Sequence, residues 1–322
     1  MFVLDSEIKI GNKTLNRINS IAIVKDSKRL ENTAVLKIPI TARIERAGEY
    51  ISEIETAKAI QPGDEVFVKL GYGDLKEEFR GFVRKIRPKI PLEIECEDEV
   101  YILKRKNLKK SFRSTTLRKI LEFILSGTGI SMVENIPEIE FSHFYFKNVT
   151  AASALQKIKD TYGLTMYFKE WKILFVGLAN ENDDTKVKYA FGKNVISNNL
   201  EWINEDDVRL KVKAVNVQKD NKKLTVEVGD ADGETRTLFF YNLKNKAALK
   251  AKATEEMQKI KYSGYKGNMK TFLVPYVEVG NVAEIIDEDF PERSGKYLVV
   301  KVETKFDEAG AKRKIDLGIK VS

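Results

Sequence analysis

Apolar and polar residues alternate with a period of two through most of the first hundred positions, the signature of strands with one buried and one wet face. Glu7-Ile8-Lys9-Ile10 runs into a Gly11-Asn12 turn, residues 18–24 and 34–40 are β-rich, and Leu92, Ile94 and Cys96 are apolar where Glu93, Glu95 and Glu97 are charged. That last strand is expected to bury the first set and solvate the second. The order of these signals then recurs. A Gly63-Asp64 turn, a strand to Leu70, Gly81 with Phe82-Val83, and the alternation at 92–96 are matched by Gly280-Asn281, a strand to Ile286, Gly295 with Tyr297-Leu298-Val299-Val300, and the alternation at 315–321. The economical reading is one small β-domain present in two diverged copies, each curled into a barrel to hide its edges.

Between the copies the period changes to that of a helix. Leu117, Ile120, Leu121, Ile124 and Leu125 form one apolar stripe, with Ser114 or Thr115 as the start signal and Gly127 as the stop. A second stripe, Ala151, Ala154, Leu155 and Ile158, has Thr150 as its expected N-cap and Gly163 as a left-handed exit. Residues 164–168 and 172–176 read as a hairpin turning at Glu170-Trp171. The expected fold is mainly β with an α+β insert: a first β-barrel over residues 1–103, a small α+β domain over 104–188, and a second β-barrel over 189–322. One helix is expected in the last, near 247–261, where Leu249, Ala253, Met257 and Ile260 share a face.

Composition narrows the class without naming it. The 322 residues are 43% apolar, enough for two or three cored domains, and no apolar run approaches the ~20 residues of a membrane-spanning helix. The start, Met1-Phe2-Val3-Leu4-Asp5-Ser6, lacks the basic and apolar regions of a secretory signal, so synthesis is expected to end in the cytoplasm. The single cysteine, Cys96, reads as a small core residue with no redox role. A net charge of +8 raises the question of a polyanionic partner, and one window is one-sided: Lys104, Arg105, Lys106, Lys109, Lys110 and Arg113, with no acid among them. The favoured reading there is a solvated linker.

Candidate chemistry is sparse. His143, the only histidine, sits in the aromatic stretch 141–146 and reads as structural; with one Cys and one His, a tetrahedral zinc site is excluded. Asp230-Ala231-Asp232-Gly233-Glu234 has the look of a calcium loop but lacks its remaining ligands, and is expected to be a hairpin turn. Glu205-Asp206-Asp207 offers adjacent carboxylates that point apart, which does not make an acid and base pair. Gly71-Tyr72-Gly73-Asp74 has no helix after it to cradle a phosphate and reads as a strand end and turn. No catalytic residue, no metal site and no cofactor site is expected, and the chain does not read as an enzyme.

The segment from Gln61 to Asp74, with Phe79-Arg80-Gly81-Phe82-Val83-Arg84-Lys85-Ile86 and Ile94-Glu95-Cys96-Glu97-Asp98 after it, resembles the first barrel of contractile-tail baseplate hub proteins. These comprise the late-control D family of phage tails and the hub portion of type VI secretion spike proteins. The two helices with their hairpin and the closing strand from Gly295 to Val302 lie in the same order, so the resemblance spans nearly the whole chain. It implies two tube-type barrels per chain and a homotrimer whose six barrels form a pseudo-sixfold ring. Such a ring joins the hexameric tail tube protein to the central spike protein, with a channel for DNA, in a virion tail baseplate assembled in the host cytoplasm. Without a β-helix or a lysozyme-like module in the sequence, spike and wall digestion are expected to belong to other chains. The alternative is a glycan-binding or cell-wall-degrading tail protein with Trp171 and Tyr167 as stacking platforms; a third reading uses Lys104 to Arg113 for nucleic acid.

Overall fold

A computed structural model describes residues 4–15, 18–46, 49–178 and 185–321, with backbone alone over 42–46 and 49–54. The first three residues of the chain and residues 179–184, near the expected end of the insert, lie outside them. Strand accounts for 54% and helix for 17%, so the mainly β class expected from the alternation is what the chain adopts.

The first region contains β1 (Leu4–Ile10), β2 (Lys13–Leu15), β3 (Ser20–Asp26), β4 (Thr33–Ile38), a separate hairpin of β5 (Thr41–Arg46) and β6 (Glu49–Glu55), the short helix α1 (Thr56–Ala59), β7 (Glu65–Tyr72), β8 (Asp74–Arg87) and β9 (Leu92–Glu97). Its spatial order is β3-β4-β9-β8-β7-β1, every neighbour antiparallel, with β2 folded back on β1. The inward positions are aliphatic, among them Ile8, Ile10, Ile23, Leu36, Val66, Val68 and Ile94, each about fully buried. Cys96 is among them, and burial pushes its thiol well up from the usual range. As read from the glycines, Gly71 to Asp74 is a strand end and turn, with Gly73 at φ 86°.

One expectation for β9 fails. Glu95 and Glu97 are buried, at 8% and 2% exposure, because basic residues cover that face. Arg84 and Arg87 both bind Glu95, and Glu97 receives Arg84 Nε at 3.1 Å and Lys104 Nζ at 3.0 Å. Charge pairing with long aliphatic stems closes a surface that alternation alone leaves open.

After α2 (Val100–Leu103) come β10 (Asn107–Thr116), α3 (Leu117–Leu125), β11 (Ser131–Met132), β12 (Glu140–Thr150), α4 (Ala151–Tyr162), β13 (Thr165–Lys169) and β14 (Ile173–Gly177). β10 and β12 form a two-stranded ribbon, β11-β14-β13 a small sheet, and the apolar stripes of α3 and α4 pack between them. The N-cap of α3 is Thr116, one position later than the sequence signal, and Thr150 caps α4 by accepting from Ser153 N at 3.2 Å. Gly163 ends α4 at φ 58°, and a Cβ there would lie 2.0 Å from the Phe239 ring, so both conformation and space demand glycine. Buried Lys159 on α4 ties this region to the first one, donating to Ser27 O and Met166 O at 2.9 Å.

The rest of the chain is β15 (Lys186–Ala190), β16 (Val195–Ile203), β17 (Leu210–Val217), β18 (Lys223–Gly229), β19 (Glu234–Tyr241), α5 (Lys246–Ile260), β20 (Gly264–Thr271), β21 (Val282–Ile286), β22 (Gly295–Asp307) and β23 (Gly310–Val321). Six of these strands take the order β16-β20-β23-β22-β21-β15. Numbered along the chain, that is the order of the first region strand for strand, except that β15 runs parallel to β21 where β1 runs antiparallel to β7. The repeated signals in the sequence thus fall on corresponding strands. Between β16 and β20 the second array carries its own addition, the sheet β18-β17-β19 with α5 packed on it.

This addition corrects another expectation. Residues 230–233 do not join two hairpin partners, because β18 and β19 lie on opposite sides of β17, one antiparallel and one parallel. The segment arches over the start of β17: Asp230 N donates to Leu210 O at 2.9 Å, the Asp230 carboxylate accepts from Leu210 N at 3.1 Å, and Arg209 pairs with Asp232. The acidic residues there hold a crossover in place.

Candidate assembly surfaces

The two arrays meet strand to strand. The second half of β22 pairs with β3 from Lys301↔Asp26 to Phe306↔Ile21, which joins both arrays into one 13-stranded sheet. The seam is backed by charge. Arg313 on β23 is fully buried; its Nη2 meets Glu78 Oε1 of β8 at 2.5 Å, and its Nη1 donates to Leu273 O at 2.7 Å and Pro275 O at 3.1 Å. Glu78 also accepts from Thr304 Oγ1 at 3.1 Å. Beside them Lys25 reaches Glu278 at 2.6 Å, the Tyr276 hydroxyl donates to Glu77 O at 2.8 Å, and Tyr72 donates to Ala311 O at 3.2 Å. A buried ion pair fixes register more than it adds stability; Arg313 Nε has no partner among the described residues, and the pair with its carbonyl contacts holds the arrays in one defined orientation.

A cleft of roughly 570 Å³ opens beside this seam. Trp171 faces it, half-buried between the Arg80 guanidinium, 5.1 Å from its ring, and the Phe82 ring at 5.9 Å. Asp98 and Glu99 form its acidic wall. Asp98 accepts from Asn32 N at 2.7 Å and Val100 N at 3.1 Å, and Glu99 accepts from Lys172 N at 2.9 Å. Burial, and for Asp98 the adjacent Glu99 carboxyl, push both above the usual carboxylate range. Tyr167 is not in the cleft: it is 3% exposed and stacks on Phe175 at 4.8 Å. The paired aromatic platform expected for a glycan is therefore not formed, because Tyr167 is enclosed in the buried cluster of the second array while Trp171 lies in the turn after β13.

The one-sided basic window also divides. Lys104 binds Glu31 and Glu97, Arg105 lies 3.3 Å over the Tyr101 ring, and Lys106 binds the carbonyls of Phe123 and Ser126 at the end of α3. These are structural contacts and not a solvated linker. Lys109 and Arg113 remain exposed on the outer face of the ribbon, directly opposite Lys147 and His143. His143 is thus a surface residue. Glu205 to Asp207 form an exposed 3-10 turn, and among the described residues no group of His, Cys, Asp or Glu is placed to hold a metal. Among the described residues no helix is long and apolar enough to cross a membrane.

Exposed apolar side chains cluster at corresponding connections. The link from β4 to β7 begins with Ile40, 39% exposed, and the matching link from β20 to β21 carries Phe272 and Val274 at 46% and 59%. Ile90, at 87%, tips the turn between β8 and β9.

No family model matches the sequence, and no curated protein matches it. Solved structures do match across the whole length. The 43 kDa tail protein of prophage MuSo2 from Shewanella oneidensis has a TM-score of 0.65 at 18% identity, covering 98% of this chain and 97% of its own. A tail protein from Neisseria meningitidis gives 0.64 at 12%, covering 99% and 97%. The Escherichia coli c3393 protein gives 0.60 at 10%, covering 98% of this chain and 77% of its own; it is described as a type VI secretion component with structural similarity to the T4 tail proteins gp27 and gp5. The chain has the fold of these tail proteins.

Proposed function

We propose that the chain is a structural, non-enzymatic component of the baseplate of a phage or phage-derived contractile tail, and that it forms the trimeric hub between tail tube and spike. The observation that carries this reading is the pair of six-stranded arrays with one strand order, locked together by the β3 and β22 ladder. Three such chains present six similar arrays, so a threefold ring offers a sixfold tube six comparable contacts. The exposed Ile40, Phe272 and Val274 occupy corresponding connections in the two arrays, where quasi-equivalent contacts are required. On this reading residues 1–103 and 189–322 are the ring-forming units, residues 104–188 face outward or toward neighbours, and DNA passes through the centre.

Light scattering on the purified chain tests the assembly directly. A species of three times 36.8 kDa is expected at high concentration, with recovery of tube and spike proteins from a tail lysate by the tagged chain. A strict monomer that recovers neither overturns the hub.

A further inference from the structure

The ribbon of β10 and β12 has a free edge beside a helix. β12 pairs with β10 on one side only; on the other, Ser142 N donates to Lys219 O at 2.9 Å, and no further backbone bond of the described residues continues along that edge. Backbone groups alternate along a strand, so the N–H groups of Phe144 and Phe146 lie on the same edge as that of Ser142. Between this edge and α4 runs a groove of roughly 510 Å³. Its floor includes Phe144, Phe146 and Ile158, its rim carries His143, Lys147 and Lys157, and none of its lining residues is acidic. No ion pair among the described residues engages those three basic groups. The nearest carboxylate on β12, that of Glu140, is already bound by Lys219. Across the ribbon Lys109 stands opposite Lys147, a like-signed cross-strand pair that disfavours the isolated ribbon.

We propose that this edge is a docking site for an extended segment of a partner protein whose residues alternate between apolar and acidic. The segment adds to β12 as a third strand of the ribbon, continuing the pairing that Lys219 begins. Its apolar side chains, on one face, meet Phe146 and Ile158; its carboxylates, on the other, neutralise Lys147. Single-stranded nucleic acid fits less well, because of the Phe and Tyr side chains on β12 only Tyr145 stands well exposed, at 62%, while Phe144 and Phe146 turn inward as the groove floor.

The test uses the full chain and a fluorescein-labelled peptide of about eight residues alternating Glu and Val, followed by anisotropy. Saturable binding is expected, weakened about tenfold or more by Lys147→Glu with Lys157→Glu, both exposed positions. The same peptide N-methylated at every residue, which has no N–H left to donate to β12 on either edge, is expected to bind about tenfold more weakly to the unaltered protein. An oligo-dT competitor is expected not to displace the Glu/Val peptide. Absence of saturable binding, indifference to the charge reversals, indifference to N-methylation, or displacement by oligo-dT each overturns the proposal.

Discussion

The two arrays share an order of strands and differ in what fills them. The first is packed with aliphatic residues, with Phe79 as the one ring in its buried cluster among the described residues; the second buries Tyr167, Phe175, Tyr189, Tyr265 and Tyr297 around Val299 and Ile315. An aliphatic interior asks only for volume. A tyrosine interior also asks for partners: the Tyr297 hydroxyl accepts from Tyr265 N at 2.9 Å, and Tyr265 donates to Asp287 at 2.5 Å. The Tyr189 hydroxyl, fully buried, has no hydrogen-bond partner among the described residues, and burial pushes its pKa up. One topology therefore tolerates two chemistries, because the ladder is made by backbone and the side chains have only to fill the space between.

The largest test of this comparison cuts the link between the arrays. Arg313→Met leaves Glu78 buried without its cation and is expected to cost about 3–5 kcal/mol, whereas adding Glu78→Met should recover most of it; urea denaturation of both variants measures the difference. Within the second array, Tyr297→Phe orphans the Tyr265 amide and should cost about 1–3 kcal/mol by the same assay. Beside the seam, Glu99→Gln is expected to raise stability by about 1 kcal/mol at alkaline pH and by little near pH 4. The sign follows from the raised carboxyl pKa values of Asp98 and Glu99. Folded protein holds these protons where the unfolded chain has lost them, so stability present in acid falls as pH climbs through the folded values. Thermal melts across that range check it. The smallest effect is reserved for Tyr189→Phe, which removes a hydroxyl that satisfies nothing and should change stability by no more than about 0.5 kcal/mol.

Much of this architecture was legible in the chain because its signals are local. The stripes of α3 and α4, the Thr150 cap, the Gly163 exit and the turn at Gly73 depend on residues a few positions apart, and the recurrence of turn and strand signals marked corresponding strands. Long-range choices were hidden. Nothing in the alternation of residues 295–307 says that β22 has a second partner, since Asp26 and Lys301 are far apart in the chain and any apolar strand edge is an equal candidate. Arg313 and Glu78 carry no local signal of their pairing, which only the fold brings about. Likewise Tyr167 and Trp171 are indistinguishable as aromatic residues of one hairpin; only the neighbouring array decides which is enclosed. The basic groove of β12 was not visible: the window from Lys104 to Arg113 reads as a linker, and Lys147 and Lys157 stand singly on a strand and a helix whose aromatic and apolar positions carry the signal.

β22 runs lengthwise through both arrays, bonded to β21 and β23 in its first half and to β3 and β23 in its second. A load directed along that strand therefore meets the β3 ladder in shear, where all its bonds resist together, and not as a zipper whose bonds yield singly. The two arrays can therefore be drawn apart lengthwise only by breaking that ladder as a whole, whereas a force across β22 would open it one bond at a time.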